Sequence, residues 1–379
     1  MLSITLGGIE MNDESNILDF FLGSNTPEGF VSLFDEITGL YKDYLSYVIK
    51  GGPGTGKSTL MKKCAAEASL LEPYLERIHC SSDPKSLDAV ILPKAKVTIA
   101  DGTPPHVIEP RYPGAYESVV NFCDCWDEED LQKNRETVIS LSQKVSTCHR
   151  QCVGLLKAAH SLLQDNFLLA AACTDGAKIV KAAGNILERE CKRRRGLCAK
   201  EHRRFLSAVT PKGLLCCTET INRLCGRIYV LKDSYGASSS LFMEEIRTQL
   251  LQRGFEIYTC ICPLNPHQKI EHILVPELKL GFVTANSFLP LEKALTPYRV
   301  IHFTRFTDME ALKKKKQRMR FNQRMAAELL DESVRSLQKA KSIHDALEQV
   351  YGHAMDYKKI NDKAQAVLCA VRRRYSAES

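Results

Sequence analysis

No apolar run in this 379-residue chain approaches the ~20 residues that a membrane-spanning helix needs. The opening stretch, MLSITLGGIEMNDES, lacks the basic start and long apolar middle of a secretion signal. Both absences predict a soluble, cytoplasmic protein without a membrane partner. Nowhere do two CxxC pairs stand together, which removes the usual zinc-ribbon spacing. The 15 cysteines are odd in number and scattered, so reduced thiols are the expected state. Cys123–Cys125, Cys216–Cys217 and Cys260–Cys262 are the only tight pairs. Proline is missing from 127–205 and from 308–374, and both stretches are nearly devoid of strand signals. Leu131, Val138, Leu141, Val145 and Cys148 recur there at helical spacing. Each stretch is therefore predicted to be a long helical hairpin, broken near Asp165–Asn166 in the first and near Gly352 in the second.

What is present is a duplication. YVIKGGPGTGKSTLM (47–61) aligns with YVLKDSYGASSSLFM (229–243), and NTPEGFVSLFDEI (25–37) with VTPKGLLCCTETI (209–221). LPKAKVTIAD (92–101) aligns with VPELKLGFVT (275–284), and VVNFCDCWDEEDL (119–131) with VIHFTRFTDMEAL (300–312). The offsets are 182, 184, 183 and 181, in one order along the chain. Collinear matches at one spacing describe two copies of a unit of about 180 residues.

Each copy opens on Thr-Pro-x-Gly and a short amphipathic helix. A strand, a loop and a helix follow, then strands at 75–80, 96–101 and 118–122 in the first copy. Their counterparts are 255–262, 279–284 and 298–303. Strands alternating with helices predict an α/β fold with a parallel sheet. The expected layout is a first sheet domain at 1–126, a helical arm at 127–206, a second sheet domain at 207–307 and a second arm at 308–379. A composition 44% hydrophobic and 26% charged suits globular domains. The net charge of +7 is concentrated in CKRRRG (191–196), LKKKKQRMR (312–320) and VRRRY (371–375). Solvated helix faces explain such runs; a protein or nucleic-acid partner is the alternative.

The chemistry is carried by GGPGTGKST, which satisfies G-x-x-x-x-G-K-[ST] between a strand and a helix. Along Gly51, Gly52, Pro53, Gly54, Thr55 and Gly56 the backbone N–H groups, Pro53 having none, are free to face phosphate oxygens. The helix behind the loop adds its partial positive charge. Lys57 is expected to face solvent until it meets the β- and γ-phosphates, Ser58 to ligate Mg²⁺, and Thr59 to complete the loop. Asp101, ending KVTIAD, is the candidate second acid for the metal. Gly102 and Thr103 follow it, where many ATPases carry a catalytic glutamate. Asp83 and Glu109 are further candidates near the terminal phosphate, and Arg111 is a candidate transition-state cation. The absence of Asn-Lys-x-Asp argues for ATP over GTP. In the second copy Gly51, Gly56 and Lys57 become Asp233, Ser238 and Ser239, and Asp101 becomes Thr284. That loop is predicted not to bind nucleotide.

On these residues the chain resembles a family of tandem P-loop ATP-binding proteins, seen mainly in Gram-positive bacteria and labelled ATPase or nucleotide-kinase-like. GGPGTGKSTLMKK, HCSSDPKSLDAV and DGTPPHVIEPRYPGAYESVVN carry the resemblance, together with Thr-Pro-x-Gly at the start of the second half. The stretch from Asp101 to His106 looks like a signature of that family, with His106 as its polar candidate and a structural histidine as the alternative. The resemblance implies two tandem P-loop NTPase-like domains and an ATP site using Mg²⁺. Members commonly keep a good loop in both halves, and this chain departs at 233–239. ATP hydrolysis at one site, with the second half as scaffold or regulator, is the leading expectation. A nucleotide or small-molecule kinase is an alternative, as is a non-hydrolysing ATP-gated switch that binds a partner.

Overall fold

The computed structural model describes residues 16–38, 43–191 and 199–377. Most of the 191–196 basic run and the N-terminal stretch read for a signal lie outside them. The first half contributes β1 (Ile17–Phe20), β2 (Gly23–Thr26), β3 (Gly29–Ser32), β4 (Leu45–Lys50), β5 (Leu75–His79), β6 (Leu87–Leu92), β7 (Val97–Asp101) and β8 (Glu117–Asn121). Its helices are α1 (Lys57–Ala68), α2 (Glu128–Lys133), α3 (Arg135–Ala171) and α4 (Gly176–Glu190). The second half repeats the series with β9 (Lys200–Arg204), β10 (Ser207–Thr210), β11 (Gly213–Cys216), β12 (Arg227–Lys232), β13 (Glu256–Ile261), β14 (Ile270–Val275), β15 (Leu280–Ala285) and β16 (Arg299–His302). Its helices are α5 (Thr218–Leu224), α6 (Ala237–Gln252), α7 (Met309–Lys313), α8 (Lys316–His353) and α9 (Tyr357–Ala377).

The fold is α/β with two six-stranded sheets of one topology, β1-β5-β6-β7-β4-β8 and β9-β13-β14-β15-β12-β16. Both sheets are mixed, which corrects the expectation of an all-parallel sheet. β6 runs antiparallel to β5 and β7, and β14 antiparallel to β13 and β15. The connections explain it: only residues 80–86 and 93–96 flank β6. A parallel crossover needs roughly a dozen residues or more. β4, which feeds the glycine-rich loop, lies between β7 and the edge strand β8 and is parallel to both.

Thr-Pro-x-Gly proves to be the turn of a hairpin in each half. Thr26 Oγ1 donates to Gly29 O at 2.8 Å and accepts the Glu28 N–H; Thr210 does the same with Gly213 O at 2.9 Å and Lys212 N–H. Gly29 and Gly213 both need positive φ, 105° and 104°, which a glycine adopts without strain.

The described chain divides into two compact units whose membership exchanges the arms between halves. One unit holds residues 24–31 and 152–334; the other holds 16–23, 32–151 and 335–377. In the second of these, α9 closes the core of the first sheet. Ile360, Val367, Leu368 and Val371 are buried with Ile49, Leu60, Met61 and Phe122. Each such aliphatic side chain stabilises by about 1.5–3 kcal/mol on burial. In the other unit α4 does this for the second sheet, through Ile179, Ala183, Ile186 and Leu187 against Leu231, Phe242 and Phe282.

The backbone repeats the exchange. Trp126 forms an antiparallel bridge with Met355 in one unit, and Thr307 with Thr174 in the other. Both positions shift by 181 between the two bridges. Aspartates cap the arm helices at the same spacing. Asp127 and Asp308 accept N–H groups at the starts of α2 and α7; Asp175 and Asp356 do so at α4 and α9. The first hairpin does not break at Asp165–Asn166, as expected, because α3 continues to Ala171 and the Asp175 cap starts the next helix. The second ends beside Gly352 as read from sequence. Among the described residues no helix is long and apolar enough to cross a membrane.

Candidate functional site

The turn between β4 and α1 puts two residues in left-handed geometry, Gly54 (φ 69°) and Gly56 (φ 87°). α1 starts immediately afterwards with Lys57, so the lysine and Ser58 stand at a helix N-terminus. Lys57 does not face solvent, contrary to the expectation. Its ammonium donates to Gly51 O (3.0 Å) and Gly52 O (2.6 Å) and lies 3.6 Å from Asp101 Oδ2, with the side chain 11% exposed. The ammonium turns to the nearest acceptors, and here these are the carbonyls of its own loop, with the Asp101 carboxylate beside them. Thr55 Oγ1 donates to Gly52 O, and Ser58 Oγ accepts the N–H of Leu87 at the start of β6. A Cβ on Gly51 would lie 2.7 Å from Thr55 Oγ1, so the tight turn requires glycine there.

Asp101 ends β7 next to β4 in the sheet. Its Oδ1 accepts both the N–H and the hydroxyl of Thr103, which leaves Oδ2 toward Lys57. Burial raises its pKa, and the charge of Lys57 and the Thr103 hydrogen bond only partly oppose that. His106 returns to the same place, with Nδ1 3.0 Å from Asp101 O and Nε2 3.5 Å from Asp88 Oδ2.

Asp88 is the residue that sequence reasoning passed over. It lies inside the buried run LDAVIL, one residue before Ala89, which pairs with Ala100. Asp88 and Asp101 are therefore cross-strand neighbours. Their mutual charge is among the causes that raise Asp101. A buried acid within an apolar strand was the available signal.

The remaining candidates are engaged elsewhere. Glu109 pairs with Lys50 at 2.6 Å, and Arg111 is an exposed loop residue. Asp83 accepts the Ser86 hydroxyl and pairs with Lys341 of α8 at 3.4 Å. The part of α8 from 335 onward, which belongs to this unit, was not foreseen at the loop. A Cβ on Gly52 would meet the Tyr351 ring at 2.8 Å, and one on Gly54 would meet Glu348 O at 3.0 Å. Tyr351 also packs against Trp126, with ring centroids 5.8 Å apart. His344, Asp345 and Glu348 form a cluster of metal-ligand type on this helix, but Lys341 already holds Asp345. Two arginines of the 371–375 run dock on the same unit, Arg372 on Glu67 and Arg374 on Ala95 O.

The counterpart loop of the second half is closed on itself. Only Gly236 keeps positive φ (81°), and α6 begins at Ala237, two positions earlier than α1 by the alignment. With alanine and serine replacing Thr55 and Gly56, the helix has consumed the turn. Asp233 fills what remains: its Oδ2 accepts the Ser239 N–H at 2.8 Å and its Oδ1 the Tyr235 N–H. Lys232 is held by Glu292 at 3.1 Å. The nearby cation is Lys269, whose ammonium would lie 3.4 Å from a Cβ on Gly236. Burial lowers its pKa, but Cys262, Glu271 and Asp233 outweigh that and raise it. A cavity of about 70 Å³ opens here, lined among others by Phe167, Tyr235, Lys269 and Asn286.

The described cysteines all carry free thiols. The first loop thus offers a glycine-rich turn at a helix N-terminus, one lysine and two carboxylates, a set suited to an anion that brings a cation with it. Comparison with protein-family models, with curated proteins and with solved structures finds no match to this chain.

Proposed function

We propose that the first-half loop is a P-loop that binds ATP with Mg²⁺ and hydrolyses it, while the second half serves as scaffold or regulator. The observation that carries this is Lys57, held at the N-terminus of α1 by Gly51 O and Gly52 O and facing Asp101 Oδ2. These partners are exchangeable: phosphate oxygens compete for the ammonium with better charge complementarity than neutral carbonyls. Backbone N–H groups of 51–58, Pro53 excepted, would bind the phosphates, aided by the helix terminus. Ser58 and Asp101 fit a magnesium ion, since both offer oxygen and Asp101 Oδ2 faces Lys57 while Oδ1 is held by Thr103. That ion would supply charge neutralisation along the phosphates. Asp88, next to His106, is a second acid beside Asp101, and a buried one.

Magnesium-dependent ADP release, measured with and without candidate acceptors, tests the assignment. Release without an acceptor supports hydrolysis; release only with one identifies a phosphotransferase. The switch reading has its own support in Tyr351 and Glu348, which rest on loop glycines. Nucleotide-dependent partner capture without turnover would favour it.

A further inference from the structure

One face of α8 runs along the candidate site. Positions 341, 345 and 348 are spaced i, i+4, i+7 and so share that face. Its far end is anchored, with Glu348 backbone against Gly54 and the Tyr351 ring against Gly52. Its near end carries Lys341, about 10 Å along the axis from Glu348 at 1.5 Å per residue. Lys341 reaches Asp83 at 3.4 Å and also holds Asp345. Asp83 in turn binds Ser86, the neighbour of the Leu87 whose N–H donates to Ser58 Oγ. The ammonium is thereby joined to Ser58, the residue that would hold the metal, through Asp83, Ser86 and Leu87. Burial acts to deprotonate it, but Asp345, Asp83 and Glu348 outweigh that and keep it charged.

The ion pair with Asp83 is partly solvated, the two side chains being 27% and 28% exposed. Pairs so exposed are weak and cost little to exchange. A terminal phosphate carries more charge than one carboxylate and competes well for the same ammonium. A diphosphate, one phosphate shorter, leaves that position empty.

Resting on the nucleotide reading above, we propose that Lys341 is the residue by which this site tells triphosphate from diphosphate. Its ammonium passes from Asp83 to the terminal phosphate, and the C-terminal arm follows it. Asp83 is released in the same step. The arm of the second half then reports what the first-half loop holds, which gives the second half a regulatory role without a nucleotide of its own.

The test is calorimetric binding of ATP and of ADP to the full chain, as wild type, Lys341→Ala and Lys341→Arg. The wild type is expected to prefer ATP. Lys341→Ala should weaken ATP about tenfold and leave ADP within about twofold, the scale of one charge-assisted contact. Lys341→Arg should retain most of the preference. Hydrogen exchange over 335–353 should differ between ATP and ADP in the wild type and not in Lys341→Ala. Equal loss for both nucleotides, or no loss for either, would overturn the proposal. A wild type that binds neither nucleotide would instead defeat the P-loop reading itself, and the sensor with it.

Discussion

Asp233 Oδ2 accepts the backbone N–H of Ser239 at 2.8 Å, inside the loop that corresponds to the glycine-rich turn of the first half. The acceptor that an anion would supply is part of the chain. Asp233→Ala removes it, and the N–H of Tyr235 loses its partner as well. Asp233 precedes the Gly236 cap of α6 but accepts a first-turn N–H as a cap side chain does, so the loss is comparable, about 1 kcal/mol. Urea unfolding of the variant should register that decrease. Unchanged stability would mean that the carboxylate is replaced by water at no cost.

Gly54→Ala separates two effects. The residue has φ 69°, where a Cβ costs roughly 1–2 kcal/mol. Its Cβ would also press on Glu348 O at 3.0 Å. Gly114→Ala is the control, with φ 81° and nothing within 4 Å. Gly54→Ala should destabilise by more than the control, and limited proteolysis should cut 335–353 faster. Equal losses would show that the arm does not bear on the loop.

His106 predicts a pH dependence. Burial lowers its pKa, but hydrogen bonding and charge from Asp88, with Asp101 adding, raise it above the usual value. A pKa raised in the folded state means the stabilisation is complete below about 6.5, the unfolded value. It is lost as pH rises through the folded value. His106→Gln should flatten the stability curve on the alkaline side of 6.5, measured by thermal unfolding from pH 5 to 9. A wild-type curve already flat over that range would contradict the Asp88 contact.

Asp101→Asn should weaken Mg-ATP more than metal-free ATP, because on the proposed reading the carboxylate would act on nucleotide chiefly through the ion. Titrations with magnesium and with chelator give the two losses. Equal losses would assign Asp101 to holding Thr103, whose N–H and hydroxyl it accepts.

The duplication was legible because both copies keep their turn chemistry and apolar strands in one order. The glycine-rich loop was legible because positive φ at Gly54 and Gly56 demands glycine in a pattern few other turns need. β6 was not read as a strand, since LDAVIL interrupts its apolar run with an acid and lies close to its neighbours. That same acid, Asp88, is what the site gained from the structure. The exchange of arms was hidden because local periodicity fixes a helix and its apolar face but not which sheet receives it. Ile360, Val367 and Val371 would suit either core by pattern alone. Lys57 was expected in solvent because no sequence signal announces that loop carbonyls will hold it. Its removal now costs on the order of 1–3 kcal/mol, the worth of hydrogen bonds to a charged group, rather than nothing.

Equilibrium binding of labelled ATP with magnesium to the wild type and to Lys57→Ala tests the central claim most directly. The account predicts one nucleotide per chain in the wild type and none held tightly by the folded variant. In the first loop the lysine would meet phosphate; at 4 Å and an effective dielectric near 20, such a pair interacts by roughly 4 kcal/mol. In the second loop Ser239 replaces it and Asp233 occupies the cradle. Two sites of similar affinity, or a Lys57→Ala chain that still holds one nucleotide tightly, would contradict the account.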